Sequence, residues 1–224
     1  MKVAKIRESC RLVDEILAEI VANLRRGRSE LTVASEIRKL ARTKADGLAF
    51  PPIVAFGRNS ATPHHSPTAR KLKIGDLVKI DLGVRVGGFC SDLTRTFFTA
   101  EPSEFQKNIF RIVAAAQKIG IRKVAAGISG RELDEFARKF LAKKGFAKNF
   151  VHSLGHGLGR QIHQNPKIGP KSKSILRVGD AIAIEPGLYF PGRFGVRIED
   201  TILVGGNGAE ILTSAPRKLK ILKI

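Results

Sequence analysis

Two segments of the chain carry nearly the same pattern, and this repeat constrains the fold more than any other feature. Residues 72–83 read LKIGDLVKIDLG, and residues 176–187 read LRVGDAIAIEPG. In each segment an alternating apolar run ends on an acidic residue, Asp81 in the first and Glu185 in the second, and glycines follow. Alternation that leads into a glycine-rich turn predicts a β-hairpin at both places.

Each predicted hairpin returns through a strand that also carries a carboxylate. Asp92 begins the first returning strand, and Glu199 lies near the corresponding place in the second, which we expect to run over residues 196–204. Acidic residues are depleted in strands and costly to bury without a partner, and two on facing arms repel unless a cation lies between them. The sequence therefore predicts a pseudo-symmetric site with four oxygen ligands.

The helices repeat in the same order. Apolar residues at helical spacing cover residues 3–25, after which Gly27 ends the helix and Ser29 can cap a second one. Gly127 and Ser129 mirror this pair in the second half, between two further helical patterns. Helix, helix and hairpin thus occur twice in the same order.

A strand and a loop precede each hairpin, in residues 49–67 and 149–166. We predict an α+β fold in which a pseudo-two-fold repeat of helix, helix and β-hairpin surrounds an antiparallel sheet, with the helices on its outer face. No linker composition separates the halves, about 1–100 and 101–224, so residues 1–224 are expected to form one domain.

The net charge of +20, from 40 Lys and Arg against 20 Asp and Glu, raises the question of a nucleic-acid partner. The basic residues are dispersed, with denser spots at 70–73, 167–173 and 217–223. The chain has one Tyr and no Trp, and it lacks the interleaved aromatic and basic residues that stack bases. We therefore do not expect nucleic-acid binding to be the main function.

The sequence predicts a cytoplasmic protein without a membrane partner. No apolar run approaches the roughly 20 residues that cross a bilayer, and the N-terminus reads as a polar helix rather than a signal peptide. Cys10 and Cys90 are too few for a disulfide framework and lack metal-type spacing.

His156 adds an imidazole to the four carboxylates. It lies between two glycines in the stretch 152–163, where the backbone can approach a metal closely. Carboxylates with an imidazole suit Mn, Co, Fe or Zn better than Ca or Mg. These five ligands exceed the needs of one catalytic ion and fit two ions about 3.5–4 Å apart with a bridging water. The chemistry that this predicts is metal-assisted hydrolysis, with an amide as the expected substrate.

The motifs IDLG, SDLTRTF, GHGLG, IEPGLY and GVRIEDT together resemble the pita-bread metallopeptidases, the family of methionine aminopeptidase, aminopeptidase P and prolidase. The resemblance runs from about residue 3 to the C-terminus and implies the pita-bread fold, with a curved antiparallel sheet. It implies that Asp81 binds one metal and that Asp92 and Glu199 bridge both. His156 and Glu185 would complete the other site. Mn or Co are the expected ions, with Fe and Zn left open.

Local details are similar to the Xaa-Pro branch of that family, prolidase and aminopeptidase P. They are ATPHHSP at 61–67, TRTF at 94–97 and GVRIED at 195–200. The resemblance implies a dinuclear exopeptidase that hydrolyses the N-terminal Xaa-Pro bond of dipeptides or short peptides through a metal-bridging hydroxide.

The same resemblance assigns roles beyond the ligands. His64 would position substrate or shuttle a proton, and His163 would hydrogen-bond the substrate carbonyl and the tetrahedral intermediate. Arg197 would steady the ligands or face the substrate. Glu185 counts as catalytic as well as metal-binding, and substrate binding is assigned to His64, His152, His163 and Arg197. A purely structural role stays open for His152 and for His65.

Several alternatives remain open from sequence. The chain starts at the first helix of the catalytic domain, so we expect no N-terminal prolidase-type domain and either a monomer or a homodimer. Gly159-Arg160 is closer to methionine aminopeptidase, which is the second enzymatic interpretation. A third is a non-catalytic, basic pita-bread module that binds RNA or the ribosome, although retention of all five ligands argues against it. The metal-free chemistry of creatinase-like relatives is disfavoured for the same reason.

Overall fold

The computed structural model describes residues 2–206 and 208–224, and its four long helices come in two pairs. They are α1 Lys2–Ala22, α2 Glu30–Lys44, α3 Glu104–Lys123 and α4 Gly130–Lys143. The hydroxyl of Ser29 accepts from the Thr32 N–H at 3.1 Å, and that of Ser129 accepts from the Glu132 N–H at 3.1 Å. The predicted caps are therefore confirmed, since a side-chain oxygen at each N-cap satisfies an otherwise free amide.

Twelve strands lie among the described residues, and the pairing of every named strand with its neighbour is antiparallel. In chain order they are β1 Ile53–Phe56, β2 Leu77–Leu82, β3 Arg85–Val86, β4 Phe89–Cys90, β5 Leu93–Phe98, β6 Gly155–Leu158, β7 Gln164–Ile168, β8 Ala181–Ile184, β9 Gly187–Phe190, β10 Phe194–Arg197, β11 Asp200–Gly205 and β12 Gly208–Ile211. The first half forms a sheet of order β1-β2-β5, and the second a sheet of order β12-β11-β8-β6-β7.

Both predicted hairpins are present. Strand β2 pairs with β5, and β8 pairs with β11. The segment between the arms forms its own two-stranded ribbon in each case, β3-β4 in the first half and β9-β10 in the second. The alternating acidic segments thus fold as the sequence indicated, and each hairpin has a ribbon at its tip.

The prediction of one continuous returning strand over 196–204 is wrong. The chain pairs with β9 as far as Arg197 and with β8 from Asp200 onward, so it changes partner between them. At this crossing the Ile198 N–H bonds the Pro186 carbonyl at 3.4 Å. The Glu199 N–H bonds a carbonyl of β5 in the other half. The interruption therefore comes from tertiary hydrogen bonds that the local pattern cannot encode.

Equivalent hydrogen bonds confirm the internal repeat. The Gly27 N–H donates to the Leu72 carbonyl at 2.9 Å, and the Gly127 N–H donates to the Leu176 carbonyl at 2.8 Å. Both glycines have positive φ, +87° and +89°, a conformation that glycine adopts without the strain a side chain would add. Each helix pair is thus joined to the start of its hairpin in the same way.

The two halves meet along β5 and the crossing between β10 and β11. The Glu199 N–H donates to the Thr94 carbonyl at 3.1 Å, and the Thr201 hydroxyl both accepts from the Asp92 N–H and donates to its carbonyl. The hairpin registers make Thr94, rather than Asp92, the counterpart of Glu199. Asp92 lies two residues earlier, so the pseudo-symmetry of the acids is approximate.

Each helix pair packs mainly on the sheet of its own half, and Ile6 and Cys10 of α1 also pack against β6 and β8. Residues of α1 and α2 pack with β1, β2 and β5 in one core cluster, and residues of α3 and α4 pack with β8 and β11 in another. The acid-bearing strand ends therefore lie on the side of the sheets away from the helices. Within the described ranges, no helix combines the length and the apolar character that a membrane span needs.

Candidate active site

All five predicted metal ligands line one cavity of about 100 Å³. The complete lining is Phe50, Ile53, His64, Asp81, Asp92, His156, Ile162, His163, Glu185, Arg197 and Glu199. Residues from both halves contribute, so the cavity lies where the two repeats meet. Its wall combines acids and histidines with a few apolar side chains.

Strand ends place the acids around this cavity. Asp81 is the next-to-last residue of β2, and Asp92 immediately precedes β5. Glu185 immediately follows β8, and Glu199 immediately precedes β11, while His156 lies within β6. The arms of the two hairpins thus bring four carboxylates toward one imidazole, as the repeat predicted.

The glycines beside His156 allow strands to approach closely. A Cβ on Gly155 would lie 1.9 Å from the Ala183 carbonyl oxygen, and a Cβ on Gly157 would lie 2.3 Å from that of Asn165. The β6-β7 register shifts between His156 and Gly157, and such an irregularity re-aims a side chain. These glycines therefore serve the backbone packing that directs the imidazole into the cavity.

The imidazole of His156 faces carboxylates with its unprotonated nitrogen. Nδ1 lies 3.1 Å from the Gly157 carbonyl, which can only accept, so Nδ1 carries the proton. Nε2 lies 3.5 Å from Oδ2 of Asp92 and 3.6 Å from Oε1 of Glu185. Burial, reinforced by the charge of His163, lowers the pKa of His156 to about 4. A nitrogen lone pair and carboxylate oxygens repel each other at these distances, and the arrangement becomes favourable when a cation lies between the nitrogen and the oxygens.

The carboxylates are crowded. Asp81, Asp92 and Glu199 are buried, and the side chain of Glu185 is 17% exposed. Burial and the neighbouring acids raise the pKa values of Asp92 and Glu199 well above the usual range. Burial raises the pKa of Glu185 to about 8, aided by Asp81 and opposed by Arg197. A bound divalent cation would reverse this preference for the neutral form.

The donor set fits divalent metal ions. Ligand atoms of Asp92, His156 and Glu199 all lie within 4.8 Å of one another. Oδ1 of Asp81 is buried and has no hydrogen-bond partner among the residues that the structure describes. Buried polar atoms normally have partners, so a free carboxylate oxygen beside this cluster is where a cation would bind. Oxygen and imidazole donors match the first-row divalent ions.

The family follows from the sequence match that accompanies this geometry. The family model described as metallopeptidase family M24 matches residues 4–205. This chain belongs to metallopeptidase family M24.

Known M24-type proteins share both sequence and fold with it. A curated Xaa-Pro dipeptidase of Pyrococcus horikoshii is 40% identical over 215 residues, 96% of this chain and 61% of that protein. The structure of a dipeptidase from Pyrococcus horikoshii OT3 superposes with a TM-score of 0.96 at 41% identity, covering 99% of this chain and 62% of the other. An X-Pro aminopeptidase structure from Thermotoga maritima superposes with a TM-score of 0.95 at 35% identity, covering 99% and 63%.

These similarities confirm the expected pita-bread fold and the resemblance to the Xaa-Pro branch of the family. The chain spans about three fifths of the length of the curated relatives it matches, 61% of the Pyrococcus horikoshii protein. The similarity therefore covers the metal-ligand motifs and their supporting sheet, and family M24 is the level at which the chain is identified.

Arg197 brings a positive charge to the cavity wall. Its side chain is buried, and Nη2 pairs with Oδ2 of Asp81. Nε donates to the Thr94 hydroxyl at 3.1 Å, while Nη1 donates to the Tyr189 hydroxyl at 3.0 Å and to the Pro63 carbonyl at 3.1 Å. Arg197 thus fixes one oxygen of Asp81 and leaves Oδ1 free.

His152 supports Arg197 from behind the cavity. Its Nδ1 lies 2.8 Å from the Ser153 carbonyl and therefore donates, so Nε2 accepts from the Tyr189 hydroxyl at 2.9 Å. Burial, with the charge of Arg197, lowers the pKa of His152 to about 3, which keeps the ring neutral. His152 does not line the cavity. Its assignment to substrate binding stays a prediction, and both ring nitrogens are already engaged within the protein.

His64 and His163 line the cavity beside the ligands. The ring of His163 meets that of His156 edge-on, with centroids 4.3 Å apart. Burial, followed by the charge of Arg197, lowers the pKa of His64. Both histidines can therefore reach a molecule bound at the metal ligands.

The neighbouring His65 has a different environment. Its Nε2 lies 2.9 Å from Oε2 of the buried Glu30. The same carboxylate accepts the Thr68 N–H on Oε2 at 2.9 Å and the Phe56 N–H on Oε1 at 2.8 Å. Burial alone would raise the pKa of Glu30, but hydrogen bonds led by that from His65 lower it. These contacts support the structural interpretation of His65, which ties its loop to the start of α2.

Sequence reasoning missed three residues that support the site. Thr94 donates to Oε2 of Glu199 at 2.6 Å, and Tyr189 links Arg197 to His152. The third is Lys79, which is fully buried on β2. A charged residue inside an alternating apolar strand was the available signal for Lys79, whereas threonine and tyrosine are ordinary strand residues.

Proposed function

We propose that this member of family M24 is a metal-dependent exopeptidase that hydrolyses the bond between an N-terminal residue and a following proline, in dipeptides or short peptides. The observation that carries the proposal is the cavity in which five metal-ligating side chains meet His64, His163 and Arg197. Relatives described as Xaa-Pro dipeptidase and X-Pro aminopeptidase support the same substrate class.

In this proposal the cluster holds two divalent ions, Mn or Co in the first place and Fe or Zn as alternatives. Asp81, Asp92, His156, Glu185 and Glu199 would hold these ions, with Asp92 and Glu199 shared between the two. Such ions would supply an activated water as the nucleophile and positive charge for the oxyanion that develops during amide hydrolysis.

The remaining groups orient the substrate and the acids. His64, whose pKa burial lowers, is neutral near pH 7 and can donate or accept one hydrogen bond at the cavity wall. His163, which lines the cavity, would donate to the substrate carbonyl oxygen as charge develops on it. Arg197 holds the Asp81 carboxylate in its orientation, because its guanidinium pairs with one carboxylate oxygen inside the protein.

The test is hydrolysis of Ala-Pro, Ala-Pro-Ala and Met-Ala-Ser after metal stripping and refilling with Mn²⁺ or Co²⁺. We expect cleavage of an Xaa-Pro substrate by the wild type and its loss in Asp92→Asn. Asp180→Asn is the matched control, since Asp180 accepts from the Arg177 N–H in a turn and does not line the cavity. The relative rates of the dipeptide and tripeptide separate dipeptidase from aminopeptidase action.

Other outcomes would favour the alternatives. Cleavage of Met-Ala-Ser alone would identify a methionine aminopeptidase and contradict the Xaa-Pro proposal. Absence of turnover with every metal, together with salt-sensitive RNA binding, would favour the non-catalytic basic module. The retained ligand cluster argues for the enzymatic outcome.

We further propose that residues 1–224 act as a single catalytic domain in the cytoplasm, with a short peptide as the partner. Cys10 and Cys90 are both buried thiols without a disulfide in the described chain, which suits a reducing compartment. Light scattering would distinguish a monomer from a homodimer.

A further inference from the structure

Lys79 has an environment that the proposed chemistry does not account for. Its side chain is fully buried on β2, two residues before Asp81. The ammonium donates to the carbonyls of Ser60, Thr62 and Pro63, at 3.0, 2.8 and 3.3 Å. An ammonium has three donors and no acceptor, so these carbonyls use its full capacity. Burying a lysine is costly, and the cost is tolerated where each donor has a partner.

The three carbonyls belong to the turn that delivers His64 to the cavity. This turn, residues 60–63, begins within the last residues of a short 3-10 helix at Gly57–Ala61. Within the described chain, Lys79 is the only donor to the carbonyls of Ser60 and Thr62. The turn therefore has few main-chain bonds of its own, and the lysine replaces them.

The Pro63 carbonyl joins Lys79 to the metal-ligand network. It accepts from the ammonium of Lys79 and also from Nη1 of Arg197 at 3.1 Å. Arg197 in turn pairs with Asp81. His64 follows Pro63 directly in the chain, so a shift of this one peptide would displace a cavity histidine and free a donor of the arginine.

The position of Lys79 within its strand points to the same role. Successive side chains of a strand alternate between faces, so Lys79 and Asp81 share the cavity side, whereas Val78 and Ile80 belong to the apolar core. The ammonium also lies 5.1 Å from the ring centroid of Tyr189, the residue that links Arg197 to His152. A cation over an aromatic face is favourable and adds a further restraint.

We propose that Lys79 is a positioning residue, which holds the turn at 60–63 so that His64 faces the cavity and the Pro63 carbonyl meets Arg197. Its effect on catalysis rests on the proposed peptidase function. Its effect on the turn does not. Lys79 touches none of the five metal ligands through its ammonium, so it acts through the loop rather than on the reacting atoms.

The test compares Lys79→Met, which keeps the chain length and removes the donors, with Val78→Ala on the opposite face of the same strand. Hydrogen exchange is measured over residues 57–66. We expect the amides of this segment to exchange at least about tenfold faster in Lys79→Met and to stay protected in Val78→Ala, because a released turn opens locally. Equal exchange in the two variants would overturn the proposal.

Kinetics with Ala-Pro provide a second readout that mere destabilisation would not move. Lys79→Met should lower kcat by about 10- to 100-fold, the effect of a small misplacement of a catalytic group. If Lys79 acts through His64, adding Lys79→Met to His64→Ala should lower kcat by less than about threefold further, because the two changes are coupled. Independent, multiplicative losses would contradict the mechanism.

The design separates failure of this inference from failure of the proposed function. If the wild type lacks peptidase activity, the exchange comparison alone decides whether Lys79 holds the turn. If Lys79→Met does not fold, the test becomes an NMR measurement of the Lys79 ammonium in ¹⁵N-labelled wild-type protein. A protected Lys79 ammonium with proton contacts to Thr62 and Pro63 would support the inference, and a freely exchanging ammonium would overturn it.

Discussion

Nε2 of His156 lies 3.5 Å from Oδ2 of Asp92, and neither atom carries a proton when the acid is ionised. Two acceptors at this separation inside a protein repel each other, because little solvent screens them. Either a proton or a metal ion must lie between them. The choice between these two species determines how the stability of the protein depends on pH.

The metal-free protein should lose stability as the pH rises from about 6.5 to 8. Below that range the histidines with lowered pKa values, His152 and His156, act in the opposite sense, because the unfolded form binds their protons first. Glu185 has a folded-state pKa of about 8, and those of Asp92 and Glu199 are also raised by burial and mutual repulsion. A raised folded-state pKa means that the folded form binds more protons than the unfolded form, whose carboxyls titrate near about 4. The stabilisation is present at low pH and disappears as these groups ionise.

Metal binding should reverse this trend. We expect the increase in Tm on adding Mn²⁺ to the chelator-treated protein to be larger at pH 8 than at pH 5.5, since protons compete with the ion for the same carboxylates. Thermal unfolding at both pH values, with and without Mn²⁺, measures the difference. An identical increase at the two pH values would contradict this description of the carboxylates.

Thr94→Val should weaken metal binding although it replaces none of the five proposed ligands. The Thr94 hydroxyl donates to Oε2 of Glu199 at 2.6 Å and accepts from Nε of Arg197 at 3.1 Å. Valine keeps the shape and removes both bonds. Loss of an outer partner of a metal ligand typically costs about 10- to 100-fold in affinity or activity. Isothermal titration with Mn²⁺ measures the affinity.

Thr99→Val is the matched control for that experiment. Thr99 is also buried, and its hydroxyl donates to the Lys73 and Asp76 carbonyls at 2.9 Å, away from the cavity. It should cost about 1 kcal/mol of stability and leave the Mn²⁺ affinity unchanged. Equal losses of affinity in the two valine variants would show that Thr94 has no special role.

Asp200→Asn should destabilise the fold strongly, even though Asp200 adjoins Glu199 and resembles a ligand in sequence. Its buried carboxylate accepts from Arg95, Gln117, Thr213 and Arg217, at 2.5–2.7 Å. An amide cannot accept from all four donors, and Arg95 is buried with it. Breaking a buried ion pair from one side typically costs about 3–5 kcal/mol. Urea unfolding of the metal-loaded protein measures the loss.

Arg217, the partly exposed partner of Asp200, provides the comparison. The side chain of Arg217 is 35% exposed, against 3% for Arg95. Arg217→Ala should therefore cost only about 1 kcal/mol or less, as exposed ion pairs do. If Asp200→Asn is as mild as Arg217→Ala, the network does not have the structural role assigned to it.

Local patterns were enough to predict the helices, their caps and both hairpins. Ser29 and Ser129 bond amides three residues away, and the alternating runs of β2 and β8 pair with the returning arms of their own hairpins, β5 and β11. Such features depend on near neighbours in sequence, so a single chain reveals them. The grouping of the five cavity ligands followed from the repeat and from the motif resemblance.

Contacts between distant segments were not predictable in the same way. The interruption of the returning strand at Glu199 depends on a hydrogen bond to the Thr94 carbonyl, far away in sequence. Glu199 lines the cavity and its neighbour Asp200 does not, which depends on the direction in which each side chain leaves the backbone. Lys79 looks misplaced in an apolar strand until its partners, 16 to 19 residues earlier, are seen. His65 binds Glu30, whereas the adjacent His64 faces the ligands.

The most direct test of the central claim is the number of Mn²⁺ ions bound per chain, measured by equilibrium dialysis and metal analysis. We expect two ions for the wild type and for Asp180→Asn, because Asp180 caps a turn away from the cavity. Asp92→Asn, which removes a carboxylate proposed to serve both ions, should bind at most one ion. Two ions in Asp92→Asn, or fewer than two in the wild type, would contradict the assignment of this cluster as a two-metal centre.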